Sequence, residues 1–275
     1  MYIINKATTG IPQIDFSIDN YIKYLAFINV LPNGDYALAG GSIRSILDKS
    51  ELKDLDIYIL GDEAHHNQII SSLEEKAFQT LPIRFCNPFA FFKMLNIRPE
   101  KVKHFNRDII TEKEEEKDPF SLDDFDNSIN HLLNGVNGFF KAPIQLISFC
   151  YDSHYYERIP TEINKNERFS DTYVSSLEEV VNSFDLTISK GGIHFTITDT
   201  SIIVNTITIP HDCLIDICTK TLRLTNSDGV VPQQLCGIKR FHKFIKLGYD
   251  ADEIFYNTWR ERFNHNPHVL GISYD

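Results

Sequence analysis

The stretch "YALAGGSIRSILDKSELKDLDIYIL", residues 36–60, constrains the fold more than any other part of the chain. An apolar run ends in two glycines. The next segment places Ile43, Ile46 and Leu47 at i, i+3 and i+4, one face of a short helix. "LDIYIL" then reads as a buried strand. The spacing therefore predicts strand, glycine turn, helix and strand in quick succession.

Asp54 and Asp56 are two residues apart on that second strand, so both carboxylates leave the same face. Crowded carboxylates repel unless a proton or cation stands between them. Mg²⁺ suits such a pair, because it takes one or two protein carboxylates and completes its shell with water and phosphate oxygens. Gly40, Gly41 and Ser42 open the helix, where a backbone without Cβ atoms and with free N–H groups favours a phosphate. A glycine pair alone is often only a turn, and Asp-x-Asp alone is common on exposed edges. Together, with Asp56 between Leu55 and Ile57, they point to a site, since burying an unpaired acid costs on the order of several kcal/mol.

Charge narrows the partners. The net charge is −11, from 38 acidic and 27 basic residues, which argues against extended nonspecific nucleic-acid binding. The charge is uneven: "DIITEKEEEKDPFSLDDFDNS" is an acidic block, read as an exposed insertion around 106–128, whereas "CGIKRFHKFIKLGY" is basic. Lys239, Lys243 and Lys246 share one helical face there, which is either a solvated face or a phosphate-binding one. The five cysteines are odd in number and scattered, so no disulfide framework is expected. His211, Cys213 and Cys218 could ligate metal, but half a ligand set is missing and a buried thiol is expected. No run reaches the about 18 apolar residues of a membrane span. "MYIINKATTGIPQID" lacks the pattern of a secretory leader, so a cytoplasmic, reduced setting without membrane partners is expected.

Elsewhere "IDNYIKYLAFINVL" reads as a helix, as does "DEAHHNQIISSLEEKAFQ" with Asp62 at its start. "PIRFCNPFAFFKML" is a strand followed by an unassigned aromatic segment, and "APIQLISFC" is a strand. "SSLEEVVNSF" carries a Ser-x-x-Glu cap. "DLTISKGGIHFTITDTSIIVNTITI" alternates as an antiparallel meander. Lys190 and His194 are expected as exposed turn residues, and Asp199 in a turn. From about 209 the pattern is helical, with Pro232 suited to a first helical position and Gly248 to a C-terminal cap. The expected class is α+β: a mixed sheet with flanking helices over 1–208, then a helical unit over 209–275.

The quoted stretch resembles the signature of DNA polymerase β-like nucleotidyltransferases, and its wording is similar to the head of poly(A) polymerases and CCA-adding enzymes. Those read Gly-Gly-x-x-Arg-Asp before Asp-x-Asp; Gly40, Gly41 and Arg44 match, while Ser45 stands at the Asp position. The context of "SSLEEVVNSFDLTI" also resembles phage and bacterial nucleotidyltransferases. The resemblance implies a palm fold and a third carboxylate, Asp185, on a later strand of the same sheet, with Asp199 a weaker candidate. It implies two Mg²⁺ ions on Asp54, Asp56 and Asp185, and an NTP, ATP first among them. Gly40, Gly41, Ser42, Arg44, Lys239 and Lys243 would hold the phosphates. The implied reaction moves an NMP onto an acceptor hydroxyl of a short RNA end, a protein or a small molecule. The alternative is a catalytically degenerate palm kept as a binding or assembly module.

Overall fold

The computed structural model describes residues 2–5, 7–28, 30–50, 52, 54–75, 84–87, 90–97, 144–152, 171–225 and 238–251, together with 253, 255 and 257. Strands β1 (Tyr2–Asn5), β2 (Gly34–Ala39), β3 (Leu55–Leu60), β4 (Arg84–Asn87), β5 (Ala90–Ile97), β6 (Ile144–Asp152), β7 (Asp171–Tyr173), β8 (Gly192–Ile197) and β9 (Ser201–Thr208) form one sheet. Its order is β1-β9-β8-β2-β3-β6-β5-β4, with β7 on β6. The pairs β1/β9 and β3/β6 are parallel and the others antiparallel, so the sheet is mixed. The helices are α1 (Pro12–Ile28), α2 (Gly41–Asp48), α3 (Glu63–Glu75), α4 (Leu177–Asn182), α5 (His211–Thr219) and α6 (Ile238–Lys246).

Alternation along the strands separates two cores. Tyr36, Leu38, Leu55, Ile57 and Ile59 turn to a face packed with Ile18, Ile22 and Leu25 of α1, Ile43 of α2 and Ile69 and Leu73 of α3. Ala37, Ala39, Tyr58 and Leu60 turn to the other, where Leu177, Val180 and Val181 of α4 cover them and Phe184 packs at the edge. Burying each large aliphatic side chain contributes about 1.5–3 kcal/mol, which lets so short a helix as α4 hold its place. The expected cap is present: Ser176 accepts the Glu179 N–H at 3.2 Å, and the Glu179 carboxylate accepts the Ser176 N–H at 3.3 Å.

The α+β class with a mixed sheet and flanking helices is thus observed. Helix α1 begins earlier than the apolar periodicity suggested, with Pro12 as its first residue, where its missing N–H costs nothing. Strands β4 and β5 pair antiparallel, and residues 192–208 form the hairpin β8–β9. His194 is not a turn residue: it lies on β8, its ring 3.2 Å from Asp35 across the sheet. Asp199 does sit in a turn, where it accepts an Asn33 amide hydrogen bond. Asp62 caps α3, accepting the His65 N–H at 2.9 Å. Gly248 takes φ 83 just after α6. The acidic insertion, Pro232 and most of the last expected helix lie outside the described residues. Among the described residues, no helix is long and apolar enough to cross a membrane.

The C-terminal elements gather a third core of Leu186, Ile188, Cys213, Ile217, Leu222, Phe244, Tyr249 and Phe255. Two short parallel strands, β10 (Thr221–Leu222) and β11 (Asp250–Ala251), join α5 to the end of α6. Leu186 and Ile188 come from upstream of residue 209, so this core recruits the segment just before β8.

His66 pins α3 to the sheet. Fully buried, it accepts the Ser148 hydroxyl at Nδ1 (2.7 Å) and donates from Nε2 toward the Val174 carbonyl at 3.4 Å. Burial pushes its pKa down to about 4, with the Val174 carbonyl opposing. The folded pKa lies below the unfolded one, so the unfolded chain binds the extra proton first as pH falls. Stability is complete above about pH 6.5 and is lost toward pH 4. Urea unfolding of the wild type should weaken by about 2 kcal/mol between pH 7.5 and 5 through this group alone. His66→Gln should start less stable and show a flatter pH dependence; equal slopes in the two proteins would refute the assignment.

Candidate functional site

Strand β2 ends at the glycine pair and α2 starts on it. Gly40 adopts φ 77 and ψ −130, and no side chain caps the helix. A Cβ on Gly40 would meet the Phe184 ring at 3.2 Å and lie 3.6 Å from an Asp56 carboxylate oxygen. The Gly40 N–H donates to the Gly191 carbonyl at 3.2 Å. Gly191 itself must be bare, because a Cβ there would fall 2.3 Å from Ile43. Gly191 therefore lets the segment entering β8 pack against α2.

Register explains why Asp56 faces the turn. Leu38 pairs with Ile57 across β2 and β3, so the next position along brings Asp56 beside the end of β2. Asp56 shares its face with Tyr58, whose ring meets Phe184 edge-on at a centroid distance of 6.2 Å. Asp54 immediately precedes β3 rather than lying within it, and both aspartates are partly exposed. Ser42 is buried and donates its hydroxyl to the Ala39 carbonyl at 3.2 Å, closing the turn from inside. A Cβ on Gly41 would meet nothing within 4 Å, so open space lies beside the first helical residue.

Asp185 departs from expectation. It is 8% exposed but lies outside the strands of the sheet, in front of a 3-10 turn at Thr187–Ser189. Its backbone carbonyl accepts the Thr225 N–H at 2.9 Å, and Leu186 bridges Leu224. These bonds draw the segment away from the sheet until Gly192. The strand that follows is β8, a neighbour of β2 and not of β3, so Asp185 does not lie on a later strand of the sheet as expected. Asp185 still follows Phe184, whose ring rests on Gly40. Among the described residues, no group of three or more His, Cys, Asp or Glu could hold a metal ion.

The basic candidates divide. The Arg44 guanidinium is buried over the Phe244 ring at 5.2 Å, with Nε 3.8 Å from Asp48. It thus faces the C-terminal core. Lys243 occupies an exposed position on α6, and the Lys239 side chain lies outside the described residues. Cys213 is buried, which pushes its thiol up to about 12 and leaves it inert, as expected of a core cysteine.

Sequence reasoning passed over Phe184, Asp48, Lys220 and Tyr249. Only the i, i+4 spacing of Arg44 and Asp48 hinted at an ion pair.

Gly40 and Gly41 should respond oppositely to substitution. Gly40→Ala forces a Cβ into a positive-φ backbone and toward Phe184, a loss of roughly 1–3 kcal/mol. Gly41→Ala, facing open space, should stay within about 0.5 kcal/mol of the wild type. Chemical denaturation of both variants measures the difference; equal effects would contradict the geometry.

Among solved structures, the chain is similar to "Structure of tRNA-processing enzyme complex 3", with TM-score 0.43 and 13% identity over 89% of this chain and 47% of that one. It is similar to a CCA-adding enzyme in apo form II, with TM-score 0.41 and 12% identity over 91% and 44% of the two chains. A third similarity is to the Bacillus stearothermophilus CCA-adding enzyme in complex with CTP, with TM-score 0.38 and 13% identity over 88% and 41%. The chain thus spans less than half the length of each. No curated protein matches it. A family-level sequence model described as "Gabija anti-defense 2 family protein" matches residues 14–211, which run from within α1 to the start of α5 and include the glycine turn, Asp54 and Asp56, and the chain belongs to that family.

Proposed function

We propose that this protein counters a defence system by acting as a nucleotidyltransferase, binding an NTP at the glycine turn and transferring its NMP to an acceptor. The family name supports the first half of this reading. The single observation behind the second half is the juxtaposition at Gly40. A bare, uncapped helix start stands against the Asp56 carboxylate, with open space at Gly41.

The residues fit divalent metal on chemical grounds. Asp54 and Asp56 flank Leu55 and are partly exposed, a two-carboxylate oxygen set that leaves the remaining positions to water and phosphates. Bound there, Mg²⁺ would neutralise phosphate charge and activate an acceptor hydroxyl. The chain's own contribution is to bind and orient. The free N–H groups of Gly41, Ser42 and Ile43 would receive the β- and γ-phosphates, and the bare Gly41 would admit them closely. Asp54 and Asp56 would hold the metal ion whose charge lets the phosphates approach the pair, and Phe184 would shield the Gly40 edge from water. Asp185 remains the candidate third carboxylate because Phe184 ties it to the same glycine. The acceptor could be a short RNA end, a protein or a small molecule.

A second reading keeps the nucleotide but drops the transfer: a palm used as a nucleotide-binding or assembly module. The observation in its favour is the lack, among the described residues, of a three-donor metal cluster.

Each α-labelled NTP, incubated with the protein, Mg²⁺ and extract of cells carrying the defence system, separates the readings. Transfer predicts labelled acceptor, lost by orders of magnitude in Asp56→Asn, since metal-assisted stabilisation is worth several kcal/mol. Gly41→Val should fold and bind NTP poorly. Mg²⁺-dependent binding without labelling would favour the module. A wild type that binds no NTP would end both readings.

A further inference from the structure

The C-terminal unit touches the glycine-turn site from two sides, through two buried carboxylates. The first is Asp48, one helical turn beyond Arg44 on α2, with 0% of its side chain exposed. Its Oδ1 accepts the Ser50 N–H at 2.9 Å, and its Oδ2 accepts Lys220 Nζ at 3.1 Å and the Tyr249 hydroxyl at 2.9 Å. Burial alone would push this carboxyl up, but the Ser50, Lys220 and Tyr249 hydrogen bonds reverse the effect and hold it below the ordinary aspartate range. Tyr249 belongs to the C-terminal core, and the ammonium of Lys220, the residue just after α5, lies over its ring at 4.4 Å. Phe244 of α6 completes the grip under Arg44.

The second carboxylate is Asp216 on α5, fully buried, which accepts the Thr187 hydroxyl and pairs with Arg223 at 3.1 Å. Around it, the Thr187 N–H donates to the Arg223 carbonyl at 3.0 Å, and the Thr225 hydroxyl donates to the Phe184 carbonyl at 2.9 Å. Residues 223–225 therefore strap down the segment Phe184–Thr187. Within that segment, the Phe184 ring is the wall that closes on Gly40.

We propose that the C-terminal unit is the positioning element of the site, with Asp48 its positioning residue for α2 and Asp216 for the opposite wall. Because α2 is a single rigid helix of eight residues, fixing its C-terminal end at Asp48 fixes the glycine turn at its other end. The unit sets the opening between Gly40–Ser42 and Phe184–Asp185 without touching substrate itself. The effect on nucleotide rests on the nucleotidyltransferase reading; the mechanical grip does not.

The test compares Asp48→Asn, Lys220→Met and Tyr249→Phe with the wild type. It reads hydrogen exchange at the hydrogen-bonded Arg44–Asp48 amides of α2 and at the Thr187 amide, and titration with Mg²⁺ and ATP. The grip predicts cooperative unfolding in all three, exchange at α2 faster by about tenfold or more, and ATP affinity weaker by a similar factor, the scale of one charge-assisted hydrogen bond. Exchange in α1 and β8 should not change. Lys220→Arg should recover much of what Lys220→Met loses. If Asp48→Asn fails to fold, the milder Tyr249→Phe decides. Unchanged α2 exchange in the folded variants would overturn the proposal, as would faster exchange with unchanged affinity in a protein that binds ATP. If the wild type binds no ATP, the nucleotide reading fails separately. The grip then stands or falls on whether loosening α2 appears in the exchange data.

Discussion

The absence of a side chain at Gly40 is the constraint on which the rest of the site depends. Its φ of 77 turns the chain off β2 and into α2 within one residue. The same bareness lets Phe184 and the Asp56 carboxylate close on the backbone from either side. With a Cβ here, the ring or the helix would have to retreat, and the alignment between the helix start and β3 would go with it. Gly191 repeats the device one layer away, where β8 passes Ile43 closer than any side chain allows. Two contacts that require glycine thus hold α2 between β3 and β8.

Much of this was legible because it is local. Alternation in "LDIYIL" separates Leu55, Ile57 and Ile59 from Asp56, Tyr58 and Leu60, and the sheet obeys it. The Ser176–Glu179 box and the Asp62 cap also follow from residues three apart. Asp185 was misplaced onto a strand because its backbone partners lie at 223–225, beyond any local window. The motif position of Arg44 suggests a phosphate ligand. Its ring partner, Phe244, is two hundred residues away in sequence, so no local window could show that stacking. The close approach at Gly191 is likewise non-local, since its partner Ile43 lies far away in sequence.

Charge is distributed in a way that keeps these roles apart. The chain as a whole is strongly acidic, yet two buried carboxylates among the described residues, Asp48 and Asp216, each have a cationic side chain at 3.1 Å. Asp54 and Asp56 are instead left partly exposed beside an uncapped helix start. A carboxylate already saturated by protein donors has little left to offer a metal or a ligand. Asp54 and Asp56 are partly open to solvent, and the open side of Gly41 lies at the same turn.

The same distinction explains why a seam built on Asp48 suits its place. An apolar seam of equal volume would serve stability as well or better, since desolvating an ion pair is expensive. Apolar contacts, however, are non-directional, and a short helix resting on them can slide or roll. Donors from Ser50, Lys220 and Tyr249 converge on one carboxylate from three segments, and each demands its own line of approach. That arrangement fixes α2 in both rotation and height. The requirement is strictest for the helix whose first turn must stay aligned with Asp56, and α2 is that helix.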